Sequence, residues 1–257
     1  KLMVVRSILA RMELHVLPVK KNPLECVEIP LDFIALVPSQ AIEFIENSLG
    51  RQENATVLIG GAPLSSGQHQ AIQTYWKNAF QSYGMTETAS HVALRKITSI
   101  EDAPYEALDG ITFSEQHAQL IIHCRDFVHG EIYTTDCVDL LSPTTFRYLG
   151  RVDHVINSAG NKVHPEALEF KLKQHIAGEF MIVPFEDALY GQGIGLLMID
   201  EKNPLTLAGF KTIQGIKTYE IPRKYMIVDE IYRNANDKID RNAMLEIAKN
   251  HVWTSIL

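Results

Sequence analysis

Within the stretch Gln81 to Leu94, the consecutive residues Tyr83-Gly84-Met85-Thr86-Glu87 bring together an aromatic ring, a bare backbone, a hydroxyl and a carboxylate. That set suits a nucleotide with its metal. A purine can lie on Tyr83, Gly84 has no Cβ to hold a ligand off, Thr86 can hydrogen-bond a phosphate oxygen, and Glu87 can offer Mg²⁺ a hard oxygen. The same pentapeptide also fits an ordinary turn at a strand end. Further candidates follow in order: Tyr133-Thr134-Thr135-Asp136, Gly150-Arg151-Val152-Asp153, Gly160, Pro165-Glu166 and Asp237-Lys238-Ile239-Asp240-Arg241. Asp136 closes a β segment with a carboxylate suited to a ribose diol. Arg151 offers a planar fork of donors to the same sugar or to phosphate. Lys238 sits in a polar loop and can bring an ammonium to a place where two anionic groups meet.

Taken together and in this order, these motifs resemble the adenylate-forming superfamily, which contains acyl-CoA synthetases, peptide-synthetase adenylation domains and firefly luciferase. The resemblance runs from about residue 56 to the end of the chain. It implies an α/β fold. Residues 1–150 would form the C-terminal part of the large adenylate-binding domain, a parallel α/β sheet plus a small β-barrel. Residues 151–257 would form a small, mobile α+β lid domain, with the boundary at Arg151 to Asp153. The implied reaction joins a carboxylic acid to ATP with Mg²⁺, giving acyl-AMP, and then passes the acyl group to coenzyme A.

The resemblance also implies roles. Lys238, Thr86 and Glu87 would be catalytic, with Glu87 holding the metal. Gly60, Gly61, Ala62, Tyr83, Gly84, Met85, Asp136, Arg151 and Gly160 would bind the nucleotide or coenzyme A, and Asp153 would be the hinge. Gly60-Gly61 also reads as a tight turn, and Asp153 as a helix cap. Two positions depart from the family pattern: Thr135 stands where Gly is usual, and Asp237 stands where Gly commonly precedes the lysine. The family's Ser/Thr/Gly-rich phosphate loop with its lysine does not occur between Lys1 and Glu87, so either the front of a longer protein is missing here or the protein has lost it.

Residues Ala89 to Arg95 and the opening LMVVRSILARMELHVLPVKKNPLE resemble the o-succinylbenzoate-CoA ligases of menaquinone biosynthesis. A dianionic aromatic acid needs a cation for its second carboxylate, and His91, Arg95 and Lys96 are the nearest candidates. Solvated charges at Arg95 and Lys96, with His91 packed inside, are the competing reading.

Length and composition bound these expectations. The chain has 257 residues, 46% of them hydrophobic, enough for one large domain or two smaller ones. A net charge of −7 without basic clusters argues against nucleic acid or an anionic membrane surface as a partner. The partners expected are small molecules, and assembly into a homo-oligomer is compatible with the sequence. Cys26, Cys124 and Cys137 are odd in number and lack C-x-x-C spacing, so reduced thiols in the cytoplasm are expected rather than disulfides or zinc. No apolar run has the roughly 20 residues of a membrane span.

Periodicity supplies the elements. Leu2, Val5, Leu9 and Met12 predict a helix over 2–14, followed by a strand at His15 to Val19. Ser39 is expected to cap a helix with Ile42, Ile45 and Leu49 buried and Gly50 past its end. Strands at 56–59 and 79–83 flank a helix over 66–77, the grammar of a parallel sheet whose ligands lie beyond the strands' carboxyl ends. Short β segments fill 119–148. A hairpin at 154–163, turning at Gly160-Asn161, precedes a helix over 165–175, strands at 180–183, 193–199 and 225–228, a short helix at 205–216 and a helix from Arg241.

Overall fold

A computed structural model of the chain describes residues 2–18, 20–47, 51–126, 130–187, 191–199, 206–234 and 239–256. Two compact units emerge. The first comprises 1–114, 121–133 and 140–147, and the second comprises 115–120, 134–139 and 148–257.

The first unit opens with α1 (Leu2–Leu9), β1 (Phe33–Leu36), α2 (Pro38–Asn47), β2 (Thr56–Ile59), α3 (Ser66–Tyr75), β3 (Asn78–Gly84), β4 (His91–Lys96) and β5 (Tyr105–Ala107). Strands β1, β2 and β3 are parallel neighbours, and β4 returns antiparallel to β3. Because side chains alternate across a sheet, Ile34, Leu36, Val57, Ile59 and Ala79 face one way and form a core with Ala41, Phe44, Ile72 and Trp76. Phe44 and Trp76 stack at 5.8 Å. Ser65 starts α3 with a capping box: it accepts from the Gln68 N–H while the Gln68 side chain accepts from the Ser65 N–H.

Strands β6 (Ile111–Gln116), β7 (Gln119–Cys124), β8 (Glu131–Ser142) and β9 (Thr145–Arg151) continue the sheet, in the order β1-β2-β3-β4-β5-β9-β8-β7-β6. Where short β segments were expected over 119–148, residues Glu131–Ser142 form the single long strand β8. The order is linear, and no pairing among the described strands closes β6 to β9 into a barrel.

Several expectations need correction. Helix α1 stops at Leu9, and Arg11 turns the chain at φ 54°. Its periodic residues Leu2, Val5 and Leu9 are exposed, so spacing identified the helix but not a buried stripe. No strand forms among the described residues 15–18. In α2 the buried residues are Pro38, Ala41 and Phe44 rather than Ile42 and Ile45, which are half-buried; Leu49 and Gly50 lie outside the described residues.

In the second unit, a 3₁₀ turn (Val152–His154) follows β9 and leads to β10 (Ile156–Ser158), β11 (Asn161–Val163), α4 (Pro165–Leu172), β12 (Phe180–Asp187), β13 (Gly191–Met198), α5 (Leu207–Thr212), β14 (Lys224–Ile227), α6 (Arg241–Asn250) and β15 (Thr254–Ser255). The sheet order is β11-β10-β13-β14-β15, with β12 antiparallel to β13. Both faces are buried. Ile182, Ile194, Leu196 and Met198 pack with Leu168, Leu172 and Phe210 of α4 and α5. The intervening Met181, Val183 and Leu197 pack with Met244 and Ala248 of α6. The β10–β11 turn is Ala159-Gly160, one residue earlier than expected; both have positive φ, 51° and 81°, as a tight two-residue hairpin turn requires.

Candidate active site

In the first unit, β3 runs out at Gly84 into a tight turn. The Thr88 hydroxyl is its hub: it accepts from the Met85 N–H at 3.0 Å and lies 2.9 Å from the Met85 carbonyl and 2.6 Å from the Ser90 carbonyl. That leaves Thr86 and Glu87 exposed at the tip. Gly84 is required here, since a Cβ would fall 2.5 Å from both the Ser90 carbonyl and the His91 Cα. Tyr83 is half-buried, with its ring 5.0 Å from Phe146 and 5.7 Å from Tyr105. Gly60, Gly61 and Ala62 follow β2, and the Ala62 carbonyl accepts from Gln81 Nε2 at 3.4 Å.

Strand β4 carries the substrate candidates. Arg95 donates from Nε and a terminal nitrogen to Gln81 Oε1, at 2.9 and 2.6 Å, and its guanidinium lies 5.0 Å from the centre of the Tyr105 ring. Its donors are therefore directed at the sheet. Lys96 is exposed. His91 meets a residue the sequence reading passed over: a terminal nitrogen of Arg6 donates to His91 Nδ1 at 3.0 Å and to Ser90 Oγ at 3.3 Å. Arg6 and His91 help line a cavity of about 300 Å³ whose remaining wall is mainly apolar, including Phe33, Leu58, Phe80 and Leu94. Arg6 was missed because a lone arginine on a helical apolar pattern resembles a solvated charge.

In the second unit, Thr134 is buried and fixes β8 by donating to the Leu120 carbonyl at 2.8 Å and accepting from the Asp136 N–H at 3.1 Å. Asp136 follows, half-buried, while Thr135 is exposed. Arg151 pairs with Asp153 at 3.1 Å. The hydrogen bond it donates to Asp153, and then the charge of Asp136, keep the guanidinium firmly protonated against partial burial. Burial, then the charges of Asp136 and Glu166, push the Tyr148 phenol up, so it stays neutral. Asp136, Tyr148, Arg151 and Asp153 thus share one electrostatic neighbourhood. Gly160 is exposed in its turn, and Lys238 lies outside the described residues.

No family model matches the chain. Among curated proteins, it is 24% identical over 232 residues to a 2-succinylbenzoate–CoA ligase of Geobacillus sp., covering 76% of this chain and 46% of that protein. It is 26% identical over 220 residues to the ligase of the same name from Bacillus pumilus, covering 73% and 45%. The o-succinylbenzoate CoA synthetase of Bacillus subtilis, solved with its acyl-adenylate intermediate, superposes at a TM-score of 0.66 with 21% identity, covering 86% of this chain and 52% of that one. In sequence and fold the chain is similar to adenylate-forming acyl-CoA ligases. It spans about half the length of the curated relatives it matches.

The chain carries an aromatic-glycine turn at the end of β3, an acid at Asp136 and an arginine at Arg151. The donor set fits a magnesium nucleotide. An exposed carboxylate at Glu87 beside the Thr86 hydroxyl suits an ion that usually takes one or two protein oxygens and completes its shell with phosphate and water. No cluster of three or more His, Cys, Asp or Glu that could hold a metal occurs among the described residues, as that mode of binding does not need one. Cys26 is exposed, Cys124 half-buried and Cys137 buried, all as free thiols. None of the described helices is long and apolar enough to cross a membrane.

Proposed function

We propose that the chain provides the adenylate- and acid-binding part of an ATP-dependent acid–thiol ligase, activating o-succinylbenzoate as acyl-AMP and transferring it to coenzyme A in the cytoplasm. The observation that carries this reading is the Arg6–His91 pair beside the mainly apolar cavity. An aromatic acid with two carboxylates needs apolar walls for its ring and a fixed cation for the carboxylate that does not react. Arg6 supplies that cation in this reading, and His91 accepts a hydrogen bond from it at the edge of the cavity. Arg95 has the different task of holding Gln81, and through it the end of β3. The relatives named above support the choice of acid.

Tyr83, Gly84, Met85 and the Gly60-Gly61-Ala62 bend take the adenine, and Asp136 and Arg151 take the ribose. Glu87 and Thr86 hold Mg²⁺ and a phosphate oxygen; bound there, the ion would neutralise phosphate charge. Lys238 stabilises the negative charge that develops as the carboxylate attacks the α-phosphate, because an ammonium touching both groups is worth most where water is excluded. Asp153 is the hinge about which the small domain turns between the half-reactions, and Gly160 then lies along the thiol's path.

The test is pyrophosphate release by the full-length protein with ATP and a panel of acids. Release with o-succinylbenzoate and not with benzoate or malonate is the expected result. Equal rates on monocarboxylates would refute the assignment of the acid. No release with any acid would favour a nucleotide-binding module without catalysis, the reading to which Thr135 and Asp237 lend sequence support.

A further inference from the structure

Arg241, the first residue of α6, is held from two directions. One terminal nitrogen donates to Glu169 Oε2 at 2.5 Å, while Nε lies 3.3 Å from Glu166 Oε1. Glu169 is anchored in turn, since its Oε1 accepts from the Ile182 N–H of β12 at 2.8 Å. The Arg241 and Glu169 side chains are 11% and 13% exposed, so removing either partner would strand a charge with little water.

Glu166 does something else. Its Oε1 also accepts from His154 Nδ1 at 2.5 Å, joining α6 to the 3₁₀ turn that contains Asp153. Its Oε2 is buried against Gly150, where a Cβ would come within 2.3 Å of it; Gly150 sits at φ 139°. A single carboxylate therefore links three segments: the end of β9, the turn at 152–154 and the start of α6, three residues after Lys238 in sequence.

We propose that Glu166 is a positioning residue for adenylation, tying the hinge turn to the start of α6, the helix that follows Lys238 in sequence. The proposal rests on the functional reading above. Glu166 acts through His154 and Arg241, so its loss would slow the first half-reaction, the one that uses Lys238 in the functional reading, while leaving the second intact.

The experiment compares Glu166→Gln and Gly150→Ala with wild type in the full-length protein. It measures ATP–pyrophosphate exchange with o-succinylbenzoate and, separately, thioester formation from preformed acyl-AMP. Exchange kcat should fall about tenfold to a hundredfold, as expected for a misplaced catalytic group. KM for ATP should stay within about twofold, the signature of an interaction used in the transition state, and transfer should be unchanged. Glu166→Asp should recover part of the loss. Should Glu166→Gln fail to fold, His154→Ala removes only the link to the turn and should give the same split. Unchanged exchange, or equal loss in both half-reactions, would overturn the proposal. A wild type that exchanges no pyrophosphate would instead refute the functional reading and the proposal with it.

Discussion

The Arg6 guanidinium donates to His91 Nδ1 at 3.0 Å, which makes that nitrogen an acceptor and leaves the ring proton on Nε2. Burial, and then the Arg6 charge, hold the imidazole below its ordinary value of 6.5, so His91 is neutral at pH 7. The folded protein binds this proton less readily than the unfolded chain. The stability His91 contributes is therefore full above 6.5 and declines as pH falls from there through the depressed folded value. Arg6→Met should raise the His91 midpoint in an NMR titration. A midpoint that does not move would detach Arg6 from the imidazole.

The two arginines near β4 should respond differently to truncation. Arg6→Ala should raise KM for o-succinylbenzoate by about tenfold to a hundredfold, the equivalent of losing a charged hydrogen bond of about 1.5–3 kcal/mol. Arg95→Ala should instead leave the buried Gln81 oxygen unpaired and reduce stability by about 1–3 kcal/mol in a denaturant melt. A reversed pattern, with Arg95 governing affinity and Arg6 stability, would return the carboxylate to the arginine suggested by sequence adjacency.

Gly84→Ala is expected to be poorly tolerated, because the added methyl would meet backbone rather than a movable side chain, 2.5 Å from the Ser90 carbonyl. Forcing atoms into so tight a place costs about 1–3 kcal/mol. The turn that presents Thr86 and Glu87 would shift with it. Thermal melts and ATP KM measured together test this: a variant with wild-type values for both would mean that the turn yields freely.

How much of this was legible in the sequence depended on whether the signal was local. The 56–59 strand, the helix expected over 66–77 and found at 66–75, and the motif order from Tyr83 to Arg241 rest on neighbouring residues, and they could be read directly, although the Ser65 cap was not. The Gly84 requirement was half legible, as glycine advertises close approach but not what approaches. Arg6 and the Glu166 junction were hidden, because each depends on partners far along the chain: 85 residues separate Arg6 from His91, and 72 separate Glu169 from Arg241. The α1 stripe misled for the complementary reason. Its apolar spacing is real, yet Leu2, Val5 and Leu9 are exposed, since periodicity encodes a face and not its cover.

Acid should loosen the second unit through Glu166. Burial pushes its carboxyl up, but the hydrogen bond from His154 and the charge of Arg241 outweigh burial and hold it below the ordinary 4.5. A carboxylate depressed in the folded state contributes stability that is fully present above the unfolded value and lost as pH falls through the folded one. Neighbouring Asp136, Tyr148 and Glu169 do not change this sign, since Arg241 remains cationic throughout, its guanidinium kept protonated against burial chiefly by Glu169. Unfolding followed by fluorescence between pH 6 and pH 3 should thus show wild type losing stability below about 4.5, the ordinary carboxylate value. Glu166→Gln should be less stable than wild type at pH 6, with the gap narrowing toward pH 3. A gap that stayed constant across the range would mean that the glutamine merely disturbs packing and that the charge of Glu166 is not what holds His154 and Arg241 together.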